Sequence, residues 1–123
     1  MLLFLCFYFA IINLPSRYIY IEVMILVITY KNRKIEKICT DAKVAEKTYG
    51  KKMAEKIQNR ISEIEASITV EIMLQFHIGR CHSLSNNRKG QYAVDLINPY
   101  RLVFRKIGDE IQIAEIIEIV DYH

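Results

Sequence analysis

The chain ends in Asp121-Tyr122-His123, and the strand-rich segment before that ending carries His82, Arg88 and Arg101. A carboxylate, a phenol, imidazoles and guanidiniums together supply what metal-free cleavage of an RNA phosphodiester requires. Such cleavage needs groups that take up and return two protons, and cations that hold the charge of a dianionic phosphorane. Taken singly, each residue has a plain structural explanation: a surface arginine, a capped histidine, a chain end. The chemical reading therefore depends on whether the fold gathers them.

The elements around these residues are legible from periodicity. Tyr92, Val94 and Leu96 alternate with Gln91, Ala93 and Asp95, and Leu102 and Phe104 alternate with Arg101, Val103 and Arg105, which predicts two half-buried strands. Parity sets Arg101 opposite Leu102 and Phe104, on the open side of a curved sheet if those two pack on helices. By the same parity Asp121 and His123 share one side and Tyr122 takes the other, as long as the chain stays extended. Asn98-Pro99 joins the two strands. Because proline cannot take a positive φ, the tight primed turns are excluded and a wider one is expected. Gly108-Asp109 marks the following turn. The isoleucine-rich run 111–120 is expected to be a central strand buried on both faces, with its isoleucines in the core. A short strand near 82–84 precedes the meander.

Upstream, the apolar, β-branched run 25–30 predicts a first strand. Ile35 and Ile38 share one side of a helical turn, and Thr40 or Asp41 can cap the next helix. Tyr49, Met53, Ile57, Ile61 and Ile64 then form one apolar stripe, which predicts a helix over residues 41–66, interrupted near Gly50. Thr69 can cap a further short helix through Gln75. A strand, then helices, then an antiparallel meander is an α+β sandwich of helices on a curved sheet.

A chain of 123 residues supports one core. Hydrophobic content of 52% with 25% charged residues, four Gly and two Pro is globular and excludes a disordered or low-complexity chain. The net charge of +3 is unevenly spread, because between Lys31 and Arg60 ten Lys and Arg stand against four Asp and Glu, a local +6. Such a face either follows a phosphate backbone without reading its sequence or is simply a solvated helix surface. Cys6, Cys39 and Cys81 lie far apart without a CxxC pair, as expected for reduced thiols of a cytoplasmic protein. His77 and His82 form no zinc-spaced cluster, so no metal or other cofactor is expected.

The first 14 residues are almost wholly apolar, yet they lack a basic leader region and a small-residue cleavage pattern. They are also too short for a transmembrane helix, and a longer span would have to bury Arg17 and Glu22, so a membrane role is not expected. Met24 opens the first predicted strand. The expected division is an apolar extension over 1–23, read as sequence upstream of the native start, and one domain over 24–123.

The segments 79–84 (GRCHSL), 88–92 (RKGQY), 98–104 (NPYRLVF) and 118–123 (EIVDYH), in this order and spacing, resemble the HigB branch of the RelE/ParE toxin superfamily. Residues 24–41 resemble that branch's usual start. The resemblance implies a RelE-like fold and a ribosome-dependent mRNA endonuclease of a type II toxin–antitoxin system, held by a helix-turn-helix antitoxin of the HigA kind, with no small-molecule ligand. It also implies that His82 stands at the H-x-L motif, Arg101 at the strand arginine, Asp121, Tyr122 and His123 at the terminal D-Y-H, and Arg88 at the basic loop. Lys89 and Arg105 join Arg88 as RNA-binding candidates. One departure is clear: Ser85-Asn86-Asn87 replaces the family's Lys-Gly-Asp before that arginine.

The chemistry implied is attack of a 2′-hydroxyl on its own 3′-phosphate, giving a cyclic phosphate and a free 5′-hydroxyl. His82 or His123 would take the hydroxyl proton. The other histidine, or Asp121 through water, would protonate the leaving oxygen. Arg101, assisted by Arg88, would hold the phosphorane charge, and Tyr122 would stack on a base or orient the phosphate. Two rival readings keep the fold without this chemistry: a ParE-like toxin that binds DNA gyrase, and an inactive member that binds only its antitoxin.

Overall fold

The computed structural model describes residues 9–14, 17–22 and 26–122, the first two segments by their backbone alone. Strands β1 (Phe9–Leu14) and β2 (Arg17–Glu22) pair antiparallel as a two-stranded sheet of their own. Met24 and the expected boundary at residue 23 lie outside the described residues, as do Cys6 and His123.

The remaining strands make one five-stranded sheet in the order β3-β7-β6-β5-β4. These are β3 (Val27–Tyr30), β4 (His82–Ser83), β5 (Gln91–Asp95), β6 (Tyr100–Ile107) and β7 (Ile113–Asp121). β4 to β7 are antiparallel neighbours, whereas β3 runs parallel to β7, with Val27 opposite Ile113 and Tyr30 opposite Ile116. That parallel pair is possible because the whole helical layer lies between the two strands in sequence and supplies the crossover.

The helices α1 (Arg33–Thr40), α2 (Ala42–Tyr49), α3 (Lys51–Ala66) and α4 (Val70–Gln75) start where local chemistry permits. The side chains of Asn32, Asp41 and Thr69 accept from the backbone N–H groups of Ile35, Lys43 and Ile72, satisfying donors that have no partner within the helix. Gly50, at φ 93°, divides α2 from α3, so the predicted long helix is two helices with a break where glycine allows one.

One face of the sheet packs on this layer. Phe104, Leu102, Val94, Ile57, Ile64, Val70, Met73 and Ile116 are fully buried between sheet and helices. The other face carries no helix among the described residues, which corrects the reading of 111–120 as a strand buried on both sides. β7 is an interior strand, next to the edge strand β3, and only its helix side is sealed, by Ala114 and Ile116. Ile111 is not core at all; it precedes the strand and is 67% exposed.

A register shift in β7 decides which of its side chains reach the open face. Val103 opposes Glu118 while Phe104 opposes Ile116, so Ile117 is an extra residue on β7. Such a bulge reverses the alternation beyond it. Glu115 and Glu118 therefore both reach the open face, and past the bulge Ile119 returns to the helices.

Candidate functional site

The open face is built from Gln91, Ala93 and Asp95 on β5, Arg101, Val103 and Arg105 on β6, and Glu115, Glu118 and Val120 on β7. Ala93 and Val103 form its fully buried floor, so it is a shallow hollow with polar walls. Arg101 stands on this face as parity predicts, opposite Val120 and beside Asp95 in register. Its Nε lies 3.4 Å from the Asp95 carboxylate, and its guanidinium sits 4.8 Å from the centre of the Tyr122 ring. Guanidinium over phenol holds both side chains without consuming the outward N–H donors.

His82 enters from β4, opposite Ala93. Its Nδ1 is 3.0 Å from the Arg80 carbonyl oxygen. A carbonyl only accepts, so Nδ1 carries the proton and the neutral ring keeps its lone pair on Nε2. Together with Arg101, His82 lines an open cavity of about 520 Å³, whose other walls are His77, Arg80 and Cys81.

Arg88 reaches the same face from a short 3-10 turn, Asn86–Arg88. It is ion-paired with Glu118, and Nε donates to the Gln91 side-chain oxygen at 3.0 Å. The adjacent Glu118 carboxylate pushes its guanidinium further toward the charged form against the opposing effect of burial, and Tyr122 adds a smaller push in the same direction. Asn86 takes φ 61°, at the position where the resemblance expects glycine. Asparagine tolerates that left-handed backbone better than most residues, so the loop keeps its turn despite the changed sequence.

The other expected residues fall further out. Arg105 pairs with Glu115 at 2.6 Å, two residues along β6 from the floor, and Lys89 is exposed beside Arg88. Asp121 opposes Tyr100, whose ring packs against Tyr49 on the helix side, so the bulge at Ile117 puts Tyr122 rather than Asp121 on the side of Arg101. His123 lies outside the described residues. Thus His82, Arg88, Arg101 and Tyr122 share one hollow, while Asp121 opens toward the opposite strand face.

No family model matches the chain, and no curated protein matches it. Among solved structures it is similar to the YoeB/ParE toxin from Agrobacterium tumefaciens, with a TM-score of 0.56 and 15% identity over 80% of this chain and 100% of that one. The chain shares that toxin's fold. The expected α+β, RelE-like architecture is therefore the observed one, with helices on one face of a five-stranded sheet.

Sequence reasoning did not single out three further members of this toxin-fold hollow: Arg80, Asp95 and Glu118. Arg80 Nε lies 3.2 Å from the second Asp95 oxygen, so that carboxylate is bracketed by Arg80 and Arg101. The parity that places Arg101 also places Asp95 across the Asn98-Pro99 hairpin, and that signal was available. Glu118 was not readable, because its side depends on the bulge. Among the described residues no three of His, Cys, Asp and Glu stand close enough to hold a metal ion, and no helix is long and apolar enough to cross a membrane.

Proposed function

We propose that this chain, over residues 24–123, is a HigB-like toxin of a type II toxin–antitoxin pair. It acts in the cytoplasm as a ribosome-dependent, metal-independent mRNA endonuclease, and a helix-turn-helix antitoxin neutralises it. The observation that carries the reading is His82, its tautomer set by the Arg80 carbonyl, lining one cavity with Arg101 on the open face of a toxin fold.

In this mechanism Nε2 of His82 removes the 2′-hydroxyl proton, and the 2′-oxygen attacks the adjacent phosphorus. Arg101, with Arg88 beside it, donates to the non-bridging oxygens as they gain charge, an effect worth about 3 kcal/mol per well-placed donor. The bond to the 5′-oxygen then breaks, and an acid supplies that oxygen's proton, leaving a 2′,3′-cyclic phosphate and a 5′-hydroxyl. His123 fills the acid's role in the proposal, since Asp121 stands on the other strand face. Tyr122 stacks on Arg101 and presents its other ring face to a base.

A second reading, a ParE-like toxin that binds DNA gyrase without chemistry, draws on the carboxylates Asp95 and Glu118 that already neutralise Arg101 and Arg88. Cleavage of mRNA on purified ribosomes separates the two. The wild type is expected to leave cyclic phosphate ends, His82→Ala to cleave roughly 10²-fold more slowly, and Arg101→Ala to lose cleavage while still binding ribosomes. A soluble His82→Ala protein that cleaves at the wild-type rate ends the catalytic reading. Loss of supercoiling before loss of translation in induced cells would favour gyrase.

A further inference from the structure

The turn between α4 and β4 has an unusual backbone. His77, Gly79 and Arg80 all take left-handed conformations, at φ 53°, 59° and 56°. Glycine does so at no steric cost, but histidine and arginine do not, and such residues persist only where their surroundings hold them. The surroundings are specific. A Cβ on Gly79 would stand 2.9 Å from Arg60 Cδ and Nε, so the turn is seated directly on that side chain. Arg60 in turn donates from Nε to the Asp95 carbonyl oxygen at 2.6 Å and pairs with Glu63. Arg80 N–H donates to the His77 carbonyl, Cys81 N–H donates to the Ile78 carbonyl, and the Cys81 side chain is buried below.

What this arrangement secures is the position of Arg80. Its carbonyl orients His82, while its side chain swings over Asp95 to join Arg101 and His77 around the cavity. Two guanidiniums against one carboxylate leave a net positive charge there. The Arg80 side chain is 81% exposed, so its pair with Asp95 is screened by water and easily exchanged for another anion. A cavity of about 520 Å³ lies within the range of ligand clefts and is larger than a single phosphate needs.

On the reading of the open face as an RNA site, we infer that Arg80, with His77, forms a second phosphate subsite beside Arg101, and that it takes the phosphodiester next to the scissile one in the same strand. Arg101 grips the reacting phosphate, Asp95 bridges the two guanidiniums in the absence of RNA, and Arg80 exchanges its carboxylate partner for the neighbouring phosphate.

The test is NMR chemical-shift titration, which reaches millimolar affinities, with 2′-O-methyl oligonucleotides that cannot be cleaved. A dinucleotide with one phosphodiester is compared with trinucleotides that add a second on the 5′ or the 3′ side. In the wild type one of the two additions is expected to tighten binding roughly tenfold, as a charge-assisted contact should. In Arg80→Gln the ratio of trinucleotide to dinucleotide affinity falls to about one, and the slope of log affinity against log salt for the trinucleotide drops by roughly 0.7. Arg101→Gln weakens both oligonucleotides and keeps the ratio. Arg80→Gly also loses the ratio but melts at a higher temperature than the wild type, because glycine relieves the left-handed backbone. A wild-type ratio near one, or a ratio that survives in Arg80→Gln and Arg80→Gly, overturns the subsite alone. A wild type that binds none of the oligonucleotides overturns the subsite, while the RNA reading stands or falls separately on cleavage of mRNA on ribosomes.

Discussion

Arg101 meets three kinds of partner at once: a carboxylate, an aromatic ring and the wall of a cavity. The contact with Tyr122 is the one that variants can dissect. Tyr122→Phe keeps a ring over the guanidinium and removes only the hydroxyl, whereas Tyr122→Ala removes both. If the chain cleaves RNA as proposed, the expected loss in kcat/KM is roughly two- to fivefold for the alanine variant, the worth of an exposed cation–π contact, and close to none for phenylalanine. Steady-state cleavage by the two proteins checks this. Equal losses would assign the role to the hydroxyl instead of the ring.

At the scale of elements, the sheet is shaped by one tight turn and one bulge. The turn is the one after β6. Gly108 takes φ 87°, and a Cβ there would stand 2.5 Å from the Ile111 carbonyl oxygen. The same turn holds Gln112, whose buried side chain accepts from the Val70 N–H at 2.9 Å and donates to Glu71 at 2.7 Å, tying the start of α4 to the start of β7. Gly108→Ala is therefore expected to lower stability by about 1–3 kcal/mol in urea unfolding, through strain at the turn and displacement of Gln112. The bulge at Ile117 acts at the other end of β7, where it decides which terminal side chains face Arg101.

The molecule as a whole titrates from both ends of the pH scale. Glu71, hydrogen-bonded by Gln112 and Lys106, is held at about 2, below the usual 4.5. Its folded pKa is depressed, so the stability it contributes is present above pH 4.5 and is lost as pH falls toward 2. Burial pushes the Cys39 thiol up to about 12 from 9.0, and burial with nearby Cys39, Glu65 and Glu36 pushes the Tyr30 phenol up to about 12 from 10.0. Their folded pKa values are raised, so this contribution is complete below pH 9.0 and is lost as pH rises toward 12. Melting temperature should therefore hold steady between the two windows and fall in each. Glu71→Gln should flatten the acid limb and, because Glu71 also holds the Lys106 ammonium above its usual range, soften the upper part of the alkaline limb. Circular-dichroism melts across pH check both arms. A wild-type acid limb that survives in Glu71→Gln would show that another carboxylate governs it.

Much of this was legible in the chain because it is local. Helix starts at Asp41 and Thr69, the break at Gly50, the alternating strands and the side of β6 that bears Arg101 each depend on a few adjacent residues. What tertiary structure alone decided joins residues far apart. The pairing of Arg88 with Glu118 spans 30 positions, and β3 lies parallel to β7 across the whole helical layer. The extra residue at Ile117 turned Tyr122, not Asp121, toward Arg101, and Arg80 takes a left-handed conformation that no local preference favours, in a turn seated on Arg60. Periodicity and capping follow from the geometry of neighbouring peptides. Register, bulges and charge partners follow from which distant surfaces pack best, and only the closed sheet determines that.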